Sequence, residues 1–168
     1  MNKNVLEMID IQKSYGSITA IERASFKLKK GTVVALVGAN GAGKSTLMNI
    51  LGGVIKANKG RIIVNGSEVY FSSPSDAALQ GIQFVHQELS VFKTMTVAEN
   101  IFLNQFPSRY SLIKKAEILR ISRQLLRELG SELDPETSVE SLSTGDCQMV
   151  VIARAMLGAP DILILDEP

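Results

Sequence analysis

The chain has 168 residues, with 18 Lys and Arg against 17 Asp and Glu and a net charge of +1. That is about one domain of length, and the even charge balance excludes a bulk attraction to nucleic acid or anionic lipid. Apolar residues make up 45%, ample for a packed core, while the single cysteine, Cys147, excludes a disulfide framework and suits a reducing compartment. Glu7 and Asp10 interrupt the first apolar run, so no signal-peptide core is read there. The apolar runs at 33–37 and 162–165 are far too short to span a bilayer, and the chain reads as cytosolic and soluble.

Val5–Ile11 alternates apolar and polar residues, the pattern of a half-buried strand, and Tyr15-Gly16 breaks it. Ile21–Leu28 alternates again, and Lys29-Lys30-Gly31 turns the chain into Thr32-Val33-Val34-Ala35-Leu36-Val37. This run is apolar and β-branched enough to predict a fully buried strand. Directly after it comes Gly38-Ala39-Asn40-Gly41-Ala42-Gly43-Lys44-Ser45-Thr46, which fits G-x-x-x-x-G-K-[ST]. Leu47, Met48, Ile50 and Leu51 then follow at helical spacing. Strand, glycine loop and helix together predict a phosphate site. Glycines let the backbone curl so that successive N–H groups face phosphate oxygens, and the new helix adds its positive end. Lys44 is expected to reach the terminal phosphates, and the Ser45 hydroxyl to ligate Mg²⁺.

Asn58-Lys59-Gly60 makes a turn, and Arg61–Val64, Asn65-Gly66 and Glu68–Phe71 predict a hairpin, since Asn-Gly suits a type I′ turn. Ser73-Pro74-Ser75-Asp76 reads as a helix start, ending at Gly81 before a short strand over Ile82–Val85 that leads to His86-Gln87-Glu88. From residue 91 the texture becomes helical. Thr96-Val97-Ala98-Glu99 is a capping box opening a short helix through Leu103, and Phe106-Pro107-Ser108 interrupts it. Ile113–Leu129 predicts an amphipathic helix with Ile118, Ile121, Leu125 and Leu129 on its apolar stripe. A last helix over roughly Thr144–Leu157 precedes a second buried strand, Ile162–Leu165, closed by Asp166-Glu167-Pro168.

An Asp-Glu pair at the mouth of a buried strand reads as the second half of a phosphate-loop NTPase site: Asp166 placed to hold Mg²⁺ through water, Glu167 to polarise an attacking water. Between the halves, Leu142-Ser143-Thr144-Gly145-Asp146 stands before an apolar helix. With these residues in hand, the sequence resembles the nucleotide-binding domain of ABC transporters from about residue 5 to its last residue. The runs Val64-Asn65-Gly66, Ser73-Pro74-Ser75-Asp76-Ala77, Val85-His86-Gln87-Glu88-Leu89 and Thr96-Val97-Ala98-Glu99-Asn100-Ile101-Phe102-Leu103 are similar to the ATP subunits of bacterial monosaccharide importers of the ribose, galactose and xylose type.

The resemblance implies an α/β fold: a phosphate-loop ATPase core with an N-terminal antiparallel β part and a helical subdomain. Residues 1–90 and 160–168 would form the core and 91–159 the helical subdomain with the signature motif. It implies ATP and Mg²⁺ as cofactors. Tyr15 would stack on adenine, residues 38–46 would be the Walker A loop, and Ser143 and Gly145 would close over the γ-phosphate of an opposite protomer. Gln87 would sense Mg²⁺ and the attacking water, and Ser45, Gln87 and Asp166 would serve the metal, with Glu167 and Gln87 in catalysis. The implied partners are a second ABC ATPase domain, in a head-to-tail dimer or tandem cassette, membrane permease subunits and, indirectly, a periplasmic sugar-binding protein, with no nucleic acid. The implied place is the cytoplasmic face of the inner membrane.

Two departures stand out. The signature reads Leu-Ser-Thr-Gly-Asp where the family pattern is Leu-Ser-Gly-Gly-Gln, which sets a carboxylate, Asp146, in the first turn of a helix whose positive end should face a phosphate. Asp146 could cap its own helix, since Ser143-x-x-Asp146 has that spacing, or weaken ATP-driven closure. The family also continues beyond the Walker B strand with a D-loop, further strands, one of them between the Walker A and Walker B strands, and a switch histidine, whereas the only histidine here is His86. The expectation is therefore an importer ATPase subunit truncated just after Walker B, with a non-hydrolysing remnant or fragment as the alternative. An ABC ATPase of DNA repair or translation is disfavoured by the importer-like run around Gln87.

Overall fold

A computed structural model describes residues 3–85, 90–103, 108–109 and 112–166. Of the sequence expectations, those on His86, Gln87, Glu88 and Glu167, and on the break at 106–107, lie outside the described residues. The chain divides into two compact units, Met1–Gln83 and Phe84–Pro168.

The first unit is built on an antiparallel sheet of β1 (Asn4–Tyr15), β2 (Ile18–Lys29), β3 (Lys59–Val64) and β4 (Ser67–Val69), in the order β2-β1-β3-β4. Alternation sets the register: Leu6 and Met8 are buried and lie opposite Leu28 and Phe26, while Glu7 faces Lys27 and pairs with it at 2.9 Å. A bulge between Met8 and Ile11 brings Asp10 to φ 53, a conformation that Asp tolerates better than most residues. Its N–H donates to Ser25 Oγ at 2.8 Å, and its carboxylate accepts from Arg23 Nε and Nη2 at 2.8 and 3.0 Å. The Arg23 guanidinium holds that carboxyl below its ordinary pKa. The β3–β4 turn has Asn65 at φ 51 and Gly66 at φ 87, as a type I′ turn requires. Helix α1 (Lys44–Leu51) buries Leu47, Ile50 and Leu51, and α2 (Pro74–Leu79) starts on a Ser73/Asp76 capping box with proline in its first turn.

Strand β5 (Ile82–Val85), whose last two residues begin the second unit, pairs with β8 (Ile162–Leu165), the Asp166 N–H donating to the Val85 carbonyl at 3.1 Å. Two-residue strands β6 (Ser108–Arg109) and β7 (Leu112–Ile113) pair with each other. Helices α3 (Val97–Ile101), α4 (Lys115–Glu128) and α5 (Thr144–Met156) enclose a core of Val97, Ile101, Phe102, Ile118, Leu125, Leu126, Val139, Val150 and Ala153. The buried stripe of α4 is rotated from the expected one: Ser122 and Leu126 are inside, and Ile121 and Leu129 only half-buried. Among the described residues the Ser122 hydroxyl has no hydrogen-bond partner, an arrangement that costs about 1–3 kcal/mol.

A polar knot crosses this core. Asn100 is fully buried; its Oδ1 accepts from the Phe92 N–H at 2.8 Å and its Nδ2 donates to the carbonyls of Phe92 and Thr96 at 2.9 and 3.1 Å. Arg154 reaches from α5 to donate Nε to the Asn100 carbonyl at 2.7 Å and Nη1 to the Ser90 carbonyl at 2.8 Å. Its burial lowers the guanidinium pKa from the usual value. Buried polar groups are tolerable because they are paired in this way, and the pairing fixes residues 90–92 against α3 and α5.

One strand expectation is corrected. Thr32–Val37 forms no strand: no ladder joins it to any described strand, and Val33 and Val37 are 99% and 91% exposed. β-branched residues favour a strand only by packing on a pleated surface between neighbours, and among the described residues no strand pairs with this run to supply that surface. The resemblance places such a neighbour later in chain order than the Walker B strand. Five consecutive apolar residues, 33–37, exposed to water favour self-association. Replacing both Val33 and Val37 by Lys should therefore lower the aggregated fraction in sedimentation, while the unfolding midpoint moves by less than about 2 °C, as for fully exposed sites. Loss of a cooperative melt in the double variant would show instead that these valines are packed.

Candidate functional site

The glycine loop of the first unit takes its shape from two left-handed residues, Gly41 at φ 81 and Gly43 at φ 85. At Gly43 the conformation is doubly demanded. A Cβ there would stand 2.5 Å from the Ala20 carbonyl oxygen and 3.1 Å from Ile21 Cγ1, so β2 leaves no room for any side chain. The Ala42 N–H closes a turn onto the Ala39 carbonyl at 3.1 Å, and the Leu47 N–H donates to the Gly43 carbonyl at 2.9 Å, beginning α1.

The start of α1 differs from every other described α-helix. Its N-cap, Gly43, supplies no side-chain acceptor, and no acidic residue lies in its first turn. Ser73 with Asp76, Thr96 with Glu99 and Ser143 with Asp146 cap α2, α3 and α5, and α4 carries Glu117 in its first turn. No side chain of its own N-cap or first turn compensates the positive end of α1, and among the described residues its first N–H groups have no side-chain acceptor, which is what an anion site requires. Lys44 folds over the same loop, its Nζ donating to the Gly38 and Ala39 carbonyls at 2.7 and 3.0 Å. The ammonium is thereby held at the loop by weak, replaceable acceptors. Ser45 is exposed beside it, and Tyr15, at the end of β1, is 49% exposed.

The second unit carries Ser143, Gly145 and Asp166. Ser143 caps α5 by accepting the Asp146 N–H at 3.2 Å and in turn donates its hydroxyl to Asp146 Oδ2 at 2.7 Å. Asp146 thus takes up the proton that the serine could otherwise offer to a ligand. Among the described residues a Cβ on Gly145 would meet only Ser143 Oγ, at 3.9 Å, an ordinary contact that does not itself require a glycine. Asp166 is half-buried at the end of β8, fixed through its backbone to Val85. Gln87 and Glu167 lie outside the described residues.

Among the described residues no group of three or more His, Cys, Asp or Glu could hold a metal. Mg²⁺ needs no such group, because that ion keeps several waters and is held by one or two protein oxygens plus phosphates of a substrate. In the first unit the Ser45 hydroxyl, and in the second the Asp166 carboxylate, are each an oxygen ligand of the kind it takes. Sequence reasoning missed two groups: the Asn100–Arg154 knot, whose partners are 54 residues apart, and Lys13, which stacks over Tyr15. The signal for Lys13 was available, since residues two apart on a strand share a face.

The ABC transporter family model matches residues 21–168. A ribose import ATP-binding protein of Bacillus subtilis is 41% identical over 164 residues, covering 97% of this chain and 33% of the relative. A relative in Halalkalibacterium halodurans, named for ribose, galactose and methyl galactoside import, is 45% identical over 98% of this chain and 32% of its own length. The chain spans about a third of the length of these curated relatives. Among solved structures, a nucleotide-free ATP-binding cassette from an ABC transporter superimposes with a TM-score of 0.84 at 27% identity, over 99% of this chain and 70% of that one.

The loop geometry makes a direct prediction. Lys44→Ala should weaken ATP binding at least tenfold, about 1.4 kcal/mol or more, for the loss of a charge-assisted phosphate contact. Superimposable isothermal titration curves for the two proteins would remove the loop from this role.

Proposed function

The chain belongs to the ABC transporter family, and we propose that it is the ATP-binding part of a carbohydrate import system, coupling ATP binding and hydrolysis to sugar movement through membrane permease subunits. Its fold is that of solved ABC ATP-binding cassettes, with an N-terminal antiparallel sheet and a group of helices. The observation that carries the proposal is the bare, uncapped start of α1 with the Lys44 ammonium held at its loop. The names of the relatives, for ribose and galactose import, support sugar as the cargo class.

In this reading the loop N–H groups and Lys44 take the phosphates of ATP, and Tyr15 takes the adenine. Ser45, Gln87 and Asp166 are the residues that would serve Mg²⁺, which would neutralise charge on the phosphate oxygens. Glu167 accepts a proton from the attacking water. Ser143 and Gly145 face the nucleotide of a second cassette, so that two ATPase domains close on each other head to tail. The chain would work at the cytoplasmic face of the inner membrane, bound to its permease, with a periplasmic sugar-binding protein delivering the cargo. That no helix among the described residues is long and apolar enough to cross a membrane accords with a peripheral subunit.

In the importer that carries this cassette, Glu167→Gln should lower sugar-stimulated phosphate release by about two orders of magnitude or more, as for removal of a general base, with ATP affinity kept within about twofold. Turnover at the unaltered rate would move the proton acceptor to another residue. Stimulation by no sugar in the unaltered system would overturn the importer assignment.

A further inference from the structure

Tyr15 ends β1 with its ring half exposed, and one face of that ring is already taken. The Lys13 ammonium lies 4.9 Å from the ring centroid. The lysine is tethered, because Nζ also donates to the Lys56 carbonyl at 2.8 Å. Two further bonds sew the same strand end to the same segment: the Ser14 N–H to Asn58 Oδ1 at 2.7 Å, and the Asn58 N–H to the Gln12 carbonyl at 2.8 Å. That segment lies between α1, which follows the phosphate loop, and β3.

We propose that Lys13 is a positioning residue for the nucleotide base: it holds the Tyr15 ring by one face and leaves the opposite face as a platform for a purine. The proposal rests on the reading that the loop binds nucleotide and Tyr15 stacks on its base. An aromatic side chain free to rotate loses that freedom when a base stacks on it, whereas a ring already fixed has less to lose. A cation behind the ring also draws on its π density, so the exposed face becomes a better partner for an electron-rich purine. The tether through Lys56 ties the platform to the chain that leads out of α1, which keeps base and phosphate subsites at a set separation.

A structural role alone would alter folding, or the affinity for all phosphates alike; a positioning role alters only the part of the affinity that depends on the base. The test is therefore calorimetric titration of the chain with Mg-ATP and, separately, with inorganic triphosphate and Mg²⁺. Lys13→Met should weaken ATP about threefold and leave triphosphate within about twofold, the size expected for an exposed cation–π pair. Lys13→Gln, which keeps a donor for the Lys56 carbonyl but has no charge, should behave like Lys13→Met, and Lys13→Arg should retain ATP affinity. Combining Lys13→Met with Tyr15→Ala should be no worse for ATP than Tyr15→Ala alone, because the lysine acts through the ring. If Tyr15→Ala lowers the preference for ATP over triphosphate while Lys13→Met and Lys13→Gln do not, the positioning role is wrong and the stacking reading stands. If Tyr15→Ala leaves the preference unchanged, the stacking reading itself fails and takes the proposal with it.

Discussion

The constraint that shapes the glycine loop is the contact between Gly43 and the backbone of β2. With a Cβ position 2.5 Å from the Ala20 carbonyl oxygen, residue 43 can be nothing but glycine, and its φ of 85 sets the direction in which α1 leaves the loop. A glycine N-cap has no side chain to cover the first turn, so the requirement that lets the loop touch the sheet also leaves the helix end bare. Lys44 then stays at the loop because the carbonyls of Gly38 and Ala39 are its nearest acceptors. Sheet contact, bare helix end and poised ammonium are thus one arrangement.

The starts of α1 and α5 show opposite treatments of the same physics. At α5, Ser143 and Asp146 exchange hydrogen bonds, and the carboxylate answers the helix dipole from within the first turn. That capping favours the helix by about 0.5–2 kcal/mol, but it occupies the hydroxyl proton and brings a negative charge to where the family pattern has a neutral amide. At α1 the chain forgoes the same stabilisation. A helix left uncapped by its own sequence is a local cost to folding, and such costs persist where binding requires them.

Local chemistry made much of this legible. Asn65-Gly66 fixes its turn by backbone preference alone, the Ser73, Thr96 and Ser143 caps close within three residues, and the alternation of β1 and β2 needs only the period of a strand. The glycine loop was legible in part, since Lys44 bonds its own neighbours, whereas the contact that demands a glycine at 43 comes from β2. What the sequence alone did not yield depends on distant partners. Thr32–Val37 has the residues of a buried strand but, among the described residues, no paired neighbour, so propensity without pairing misled. The face of α4 turned inward by Ser122 and Leu126 is set by α3 and α5, and the Asn100–Arg154 knot joins residues with no local signature. Tyr15 was legible as an aromatic at a strand end; the cation over its ring was not.

The account stands on the bare start of α1 being where phosphate binds, and backbone amide shifts report on that directly. Titrating inorganic triphosphate into the ¹⁵N-labelled chain should move the Gly43, Lys44, Ser45 and Thr46 amide resonances together along one saturating curve. The first-turn amides of α2 and α3, already capped, should stay in place. Movement confined to the start of α5, with the four loop amides unshifted at saturation, would contradict the account.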